Sequence, residues 1–198
     1  MIVVGLGKAG CNIAKAFSKF PQYQTFGIDT NSDADITIKA KKSHEEYDSS
    51  FPDLKRKLKF KDEDVLVVIA GAGKISGGSL RLLEQLQKNR LTVLYIEGDL
   101  TIMSEVQKKQ EKIVSSVLQE YARSGVLERI IMVNNAHIER SIGDMSIIGY
   151  YDTLNQAIVN IIHMTNVFRH SEPVIGNFIT PSELSRICTI GAVTIEGD

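Results

Sequence analysis

The sequence has 198 residues, of which 43% are hydrophobic and 24% are charged, and its formal net charge is -1. A chain of this size can bury a core of its own, and the balanced charge argues against general binding to nucleic acid. No apolar run approaches the ~20 residues of a membrane span, so we expect no direct contact with a membrane.

The first residues and the cysteines indicate the cellular compartment. Strand-like residues follow Met1 at once, which leaves no room for a signal peptide. Cys11 and Cys188 lie far apart and in no CxxC pattern, as expected for reduced thiols. We therefore expect a cytoplasmic protein.

Strands and helices alternate along the chain. Near-continuous apolar runs predict strands at 2–5, 25–29, 64–70, 91–98 and 129–134. Apolar residues three, four and seven apart predict helices after the first strand, after residue 79, at about 103–123 and from 150 onward. Such strands suit a parallel sheet that is covered on both faces. The predicted fold class is therefore α/β, with a doubly wound, mostly parallel sheet.

Shorter elements are predicted between and after these. The charged loop 41–63 has room for one short helix, and 136–148 reads as a helical or looped piece. Near the end, a short helix is predicted at 182–187 and a strand at 192–197.

The first glycine loop, GLGKAG at 5–10, lies between the first predicted strand and the first helix. Gly5, Gly7 and Gly10 fit GxGxxG, and Asp29 ends the second strand 19 residues after Gly10. This pattern is typical of a dinucleotide site, where the glycines admit a pyrophosphate and the acid binds a ribose hydroxyl. The alternative is a glycine turn with a structural role only.

The second glycine loop, GAGKISGGS at 71–79, follows the third predicted strand. It is not a P-loop, because that motif ends in Gly-Lys-Ser/Thr, whereas here Lys74 precedes Ile75 and Ser76. Its main-chain N–H groups, the Ser76 hydroxyl and the next helix start can all face phosphate oxygens. Two such loops that face each other across strand ends suit a longer chain of phosphates. The alternative for the second loop is a flexible surface turn.

With these motifs, the chain resembles the tubulin/FtsZ family of GTPases. Residues 5–12 are similar to the family's first glycine loop, 28–34 to its Asn-Thr-Asp loop, and 71–79 to its GGGTGTG-type loop. Residues 132–139 resemble the stretch whose asparagine contacts the nucleotide, and 150–166 the start of the long central helix. The resemblance implies a tubulin/FtsZ-type GTPase domain with GTP or GDP as its ligand. Mg²⁺ is expected to arrive with GTP, held mainly by phosphates and water.

The resemblance also implies which residues bind the nucleotide. They are Gly5, Gly7, Lys8, Ala9, Gly10, Asn12, Asp29, Thr30, Asn31, Gly71, Ala72, Gly73, Lys74, Ile75, Ser76, Gly77, Glu105, Lys109, Asn135, Ile148 and Asp152.

Asp152 is the expected reader of guanine. A carboxylate accepts hydrogen bonds from both guanine N1–H and N2–H₂, a donor pair that adenine lacks. Asp152 also begins an amphipathic run, so a helix N-cap is the competing interpretation.

The resemblance places the catalytic residues on a loop after the central helix, from which they reach the next subunit's nucleotide. The matching segment is GNFITPSEL at 176–184, with Asn177 and Glu183 as candidates. Thr180 stands where the first acid is expected, and a threonine cannot act as a general base. Glu183 either orients the attacking water or is an ordinary acid in the first turn of a helix. Slow or absent hydrolysis is therefore one of the expectations.

The resemblance divides the chain into three parts. We expect a GTP-binding α/β domain at 1–150, the central helix at 151–170, and at 171–198 the catalytic-type loop with the start of a second domain that is truncated or lost. The four histidines show no HxxxH spacing, so no protein-built metal site is expected.

Three functions remain open from the sequence. The first is a GTP-binding cytoskeletal protein that self-associates, as a homo-oligomer or filament, and hydrolyses GTP at the subunit interface. The second is a degenerate relative that keeps the nucleotide as a structural ligand within a larger assembly. The third is an NAD-type Rossmann domain, which Asp29 favours but which leaves 71–79 and Asp152 without a role.

Overall fold

The computed structural model describes residues 1–143, 146, 148–172, 174–176 and 184–191. Within them a single sheet contains seven parallel strands. These are β1 (Ile2–Leu6), β2 (Gln24–Asp29), β3 (Ile36–Thr37), β4 (Asp64–Ala70), β5 (Arg90–Ile96), β6 (Arg129–Val133) and β7 (Ile187–Thr189).

Six α-helices and one 3₁₀ helix connect the strands in this part of the chain. The α-helices are α1 (Gly7–Phe17), α2 (His44–Ser49), α3 (Ser79–Leu86), α4 (Glu105–Arg123), α5 (Asn135–Ile142) and α6 (Tyr150–His170), and the 3₁₀ helix is Lys74–Gly78. None of the helices within the described ranges is both long and apolar enough to cross a bilayer.

The strand order is β3-β2-β1-β4-β5-β6-β7. Successive strands run outward from β1 to β3 on one side and from β4 to β7 on the other, so the order reverses between β1 and β4. In open α/β sheets, the crevice beyond the carboxyl ends of the strands at such a reversal is the usual ligand site.

Each face of the sheet has its own core, because strand side chains alternate between the two faces. On one face, Val4, Val67 and Val93 pack with apolar residues of α2, α3 and α4. On the other, Val3 and Leu66 pack with apolar residues of α1, α5 and α6. Helices on both faces confirm the predicted doubly wound α/β class.

The five predicted strands lie within two residues of their observed bounds. The helix predicted near 182–187 is wrong in its described part: Leu184 lies in a turn, and β7 begins at Ile187. Its residues pair with β6 instead, where Ile130 N–H donates to the Arg186 carbonyl at 2.8 Å. The strand predicted at 192–197 lies outside the described residues.

Candidate functional site

The two glycine loops lie side by side at the reversal of strand order. β1 and β4 are paired in register, with Leu6 opposite Ile69, so both strands end at the same level of the sheet. The first loop leads directly into α1, and the second leads through the 3₁₀ helix into α3. The topology therefore brings both predicted phosphate loops to one crevice.

Two glycines of the first loop allow α1 to pack directly on the sheet. A Cβ added at Gly5 would overlap the Gly10 carbonyl, and one added at Gly10 would lie 2.7 Å from the Val68 carbonyl oxygen. Gly7, the first residue of α1, has φ +74°, which disfavours side chains with a Cβ. The loop therefore requires glycine for backbone reasons that hold without any ligand.

The second loop has a buried half and an exposed tip. Ala72, Gly73 and Lys74 are exposed, whereas Ser76 is only 1% exposed. The Ser76 hydroxyl donates inside the loop, 2.6 Å from the Gly73 carbonyl oxygen. Ser76 thus orders the loop, and only the tip presents its backbone outward.

Gly77, also predicted to contact phosphate, is buried against α2. A Cβ added there would overlap the His44 carbonyl group. A Cβ added at the neighbouring Gly78 would overlap the Phe51 ring. These two glycines therefore allow close packing of the loop on the segment around α2.

One apolar side chain lies between the two loops. The Cγ2 methyl of Ile75 is 2.5 Å from the position of a Cβ added at Gly7 and 3.7 Å from one added at Gly73. Ile75 is partly buried there. It occupies space that two adjacent phosphate loops would otherwise leave open.

The helix starts at the crevice have no side-chain caps from the described residues. α1 begins after Leu6 and the 3₁₀ helix after Gly73, and neither of these residues provides a side-chain hydrogen bond. Ser43, Ser104 and Asn134 cap α2, α4 and α5, whereas α3 and α6 also begin without a side-chain cap. In the 3₁₀ helix, Ser76 N–H donates to the Gly73 carbonyl at 3.0 Å. The earlier N–H groups of both first turns have no side-chain acceptor at the cap and are left for another partner.

A buried polar pair supports the second loop from behind. Tyr95 is fully buried in β5, and its hydroxyl donates to Glu111 Oε1 of α4 at 3.2 Å. A Cβ added at Gly71 would overlap the Tyr95 hydroxyl, so the loop backbone packs directly against Tyr95 and Glu111. Burial, followed by the nearby Glu111 carboxylate, raises the pKa of the Tyr95 hydroxyl. Tyr95 therefore stays protonated, and remains a donor, well above the pH at which an ordinary tyrosine ionises.

A groove of about 580 Å³ lies at the ends of β5 and β6. Asn134 at its edge donates to Glu97 Oε2 at 3.0 Å, and its own Oδ1 accepts from Ala136 N–H at 3.0 Å. Asn135, the predicted ligand, lines the same groove, and its buried Oδ1 has no hydrogen-bond partner among the described residues. Buried acceptors are normally paired, so Asn135 is a candidate for contact with a ligand.

A second groove, of about 460 Å³, lies between α1 and the end of β2. Four of the predicted residues line it together: Lys8, Asn12, Asp29 and Asn31. Cys11 lies on its wall, where burial, then Asp29, then Asp35 raise the pKa of the thiol to about 11. Thr30 is exposed in the turn that follows Asp29.

Glu105 and Lys109 lie at the exposed start of α4, and Lys108 forms an ion pair with Glu105 at 2.8 Å. The α4 residues that line the 580 Å³ groove are instead Glu111 and Ser115. At about 100° per residue, these two are roughly a third of a turn away from Glu105 and Lys109. The structure therefore does not bring Glu105 and Lys109 into this groove.

Asp152 is exposed in the first turn of α6. The N-cap of this helix is Gly149, with φ +79°, so the alternative role of Asp152 as the N-cap is wrong. Asp152 shares a shallow hollow with Tyr150 and Tyr151, and both tyrosines also line the 580 Å³ groove. Ile148, just before the helix, is 90% exposed.

The catalytic candidates Asn177 and Glu183, with Thr180 between them, lie outside the described residues. Over the parts that the structure describes, there is no cluster of three or more His, Cys, Asp or Glu residues that could hold a metal ion.

Sequence reasoning missed several residues that line the 580 Å³ groove. Glu97 directly follows β5, a position from which side chains reach the carboxyl-end crevice. Glu139 accepts from the Tyr150 hydroxyl at 3.0 Å and thereby joins α5 to α6. The position of Glu97 at a strand end was a usable signal, whereas the Glu139–Tyr150 contact depends on how two helices pack.

The sequence matches no protein-family model and no curated protein sequence. Its fold, however, matches solved structures over 88% of the chain. CetZ from Methanosaeta thermophila aligns with a TM-score of 0.66, an empty FtsZ dimer from M. jannaschii with 0.68, and a mutant FtsZ from M. jannaschii with 0.69, each at 14% sequence identity. The chain spans 56% to 58% of the length of these proteins. This chain therefore has the tubulin/FtsZ fold.

Proposed function

We propose that this protein binds a guanine nucleotide in the crevice at the carboxyl ends of β1 and β4. The observation that carries this proposal is the pair of helix starts at the crevice, α1 and the 3₁₀ helix, which the described side chains leave uncapped. Free first-turn N–H groups and the positive end of a helix attract phosphate. A chain of phosphates across both starts would satisfy both sets of donors.

The phosphate end of the proposed site uses backbone more than side chains. The N–H groups at the start of α1 and at the exposed tip Ala72–Lys74 are the donors, and the exposed Lys8 and Lys74 side chains add positive charge. Mg²⁺ would be held mainly by phosphate oxygens and water.

The base end of the proposed site is the groove beside α5 and α6. Its volume of about 580 Å³ suits a nucleoside. The unpaired Asn135 Oδ1 is an acceptor for it, and Tyr150 and Tyr151 offer aromatic surface for a base. Asp152, beside both tyrosines, is the proposed acceptor for guanine N1–H and N2–H₂.

Identification of the bound nucleotide tests this proposal. Purified protein is denatured, and the released nucleotide is identified by chromatography, with GTP or GDP expected. Protein that releases nothing is titrated with GTP and with ATP, and tighter binding of GTP is expected. Released NAD, or equal affinity for GTP and ATP, would contradict the proposal and favour an NAD-type or unselective site.

We also propose self-association, with hydrolysis completed by Asn177 and Glu183 of a neighbouring copy. The tubulin/FtsZ fold supports this, since one matched structure is an FtsZ dimer. The alternative is nucleotide binding without turnover. Thr180 in place of an acid favours this alternative.

A further inference from the structure

The opposite end of the sheet contains a cluster of arginines. A cavity of about 800 Å³ lies at the amino ends of β5, β6 and β7, and its lining includes Arg90, Arg129, Arg169 and Arg186. Arg90 and Arg129 begin their strands, and Arg186 directly precedes β7. β5 is seven residues long, so the cavity lies about 20 Å from the glycine loops.

Arg129 is the most unusual member of the cluster. It is only 8% exposed, and its buried Nε has no hydrogen-bond acceptor among the residues that the structure describes. A buried guanidinium is costly unless an anion or acceptors surround it. The position of Arg129 therefore calls for an acceptor in the cavity.

The other three arginines have partners of their own. Arg90 Nε donates to Asp64 Oδ1 at 2.6 Å, and Arg169 Nη2 to Glu128 Oε1 at 2.5 Å. Arg186 Nη1 donates to the Leu127 carbonyl at 3.2 Å. Both carboxylates line the cavity with the four guanidinium groups, which leaves an excess of two positive charges.

The helix dipole explains the position of only one of these arginines. Arg169 lies in the last turn of α6, where cations are stabilised by the helix dipole. Arg129 and Arg186 lie at strand starts, where no such dipole acts. Gly125 lies beside the Arg186 guanidinium, since a Cβ added there would be in ordinary van der Waals contact with Nη1 at 3.7 Å.

We propose that this cavity is a second anion site, which binds the phosphoryl group of a small soluble molecule. A phosphoryl dianion matches the excess of two charges, and its oxygens accept the paired N–H donors of a guanidinium fork. The cavity is large enough for a phosphorylated metabolite. This inference does not depend on the proposed guanine-nucleotide site.

Titration by NMR tests this second site. Inorganic pyrophosphate and glycerol 3-phosphate are added to the full chain at constant ionic strength, and backbone amide shifts are followed. Saturable shifts are expected at Gly125–Arg129 and around Arg186. Shifts confined to the two glycine loops, or no saturable shift, would overturn the inference.

Arg129→Met is the decisive variant, and Arg56→Met is its matched control on an exposed loop. Arg129 Nε has no acceptor among the described residues, so Arg129→Met removes the cost of burying that group and the variant should fold. We expect the Kd for pyrophosphate to rise about tenfold or more in Arg129→Met and to stay unchanged in Arg56→Met. Equal losses in both variants would overturn the inference.

Two further arms complete the test. If Arg129→Met does not fold, Arg186→Met is used with the same expected loss. Vesicles containing phosphatidic acid are compared with glycerol 3-phosphate, and binding to vesicles alone would contradict the proposal of a small soluble ligand.

Discussion

At the scale of single residues, the proposed choice of guanine depends on the Asp152 carboxylate. In Asp152→Asn one acceptor becomes a donor, so the Kd for GTP should rise by roughly 10- to 100-fold. The new donor suits the carbonyl at C2 of xanthine, so XTP should bind the variant better than GTP. Calorimetric titration of both nucleotides measures this.

The matched control is Asp53→Asn, an exposed aspartate outside the crevice whose Oδ1 accepts from Lys55 N–H. It should bind GTP like the parent protein. Unchanged GTP affinity in Asp152→Asn would remove Asp152 from the site.

Cys11 allows a pH-dependent test of the groove beside the first loop. A raised pKa favours the protonated thiol, and at a pKa of about 11 roughly one thiol in a thousand is ionised at pH 8. An ordinary cysteine is about one quarter ionised there, so alkylation of Cys11 should be roughly two orders slower. The rate should still rise about tenfold between pH 8 and pH 9.

The measurement uses Cys188→Ser, so that Cys11 is the remaining thiol. Iodoacetamide labelling is followed by mass spectrometry in native buffer and in urea. Unfolding removes burial and the Asp29 and Asp35 charges, so the rate in urea should reach that of a model thiol. Equally fast native labelling would contradict the described surroundings of Cys11.

At the scale of elements, the uncapped start of the 3₁₀ helix gives the sharpest test of the phosphate site. Gly73 is extended at φ -88° and ψ 142°, and among the residues that the structure describes a Cβ there would meet only Ile75, at an ordinary 3.7 Å. Gly73→Asp and Gly73→Asn should both fit and both cap the helix, which stabilises each variant by up to about 1 kcal/mol.

The two variants should differ in nucleotide binding. The carboxylate introduced by Gly73→Asp would place a negative charge beside the proposed phosphates, so GTP affinity should fall about tenfold further than in Gly73→Asn. Urea unfolding and GTP titration are measured on both. Equal affinities in the two variants would mean that no phosphate lies near the tip of the second loop.

The strands were predictable because a parallel sheet covered on both faces needs continuous apolar runs, such as Asp64–Ala70. β3 and β7 have only two and three residues, too few for a pattern to identify them. The helix predicted near 182–187 failed because pairing with β6 outweighs local helix signals there.

For the candidate site, the sequence predicted only that the two glycine loops lie together at the ends of β1 and β4. Both glycine loops meet in one crevice, as two loops after buried strands should. The inward turn of the Ser76 hydroxyl and the helical phase that separates Glu105 from Glu111 depend on three-dimensional packing. Sequence patterns identify which residue types are near a site, but side-chain direction decides which of them face it.

At the scale of the whole molecule, the two ends of the sheet have different chemistry. The carboxyl end presents backbone N–H groups and glycine, whereas the amino end presents the arginine cluster. The predicted division at residues 150 and 170 stays a prediction. This chain spans 56% to 58% of the length of the matched structures. Assembly and GTP turnover must therefore be tested on this chain itself.

Dependence on protein concentration separates a GTPase completed by a neighbouring copy from a protein that only binds nucleotide. If Glu183 of one copy acts on the nucleotide of the next, GTP turnover per molecule should rise with protein concentration and level off once neighbours are in place. Phosphate release is measured over a concentration series, with sedimentation as the parallel measure of association. Glu183→Gln should lower turnover roughly 100-fold or more without changing GTP affinity.

The matched control is Glu172→Gln, an exposed glutamate just after α6 and outside the predicted catalytic loop. Its turnover should follow the parent curve. Mixing Glu183→Gln with Asp152→Asn should restore part of the activity, because an intact Glu183 from the second variant would then meet GTP bound to the first. Turnover that is independent of concentration, with no rescue on mixing, would exclude an interface-built site. Absent turnover in a protein that binds GTP tightly would instead establish the nucleotide as a structural ligand, as Thr180 in place of an acid favours.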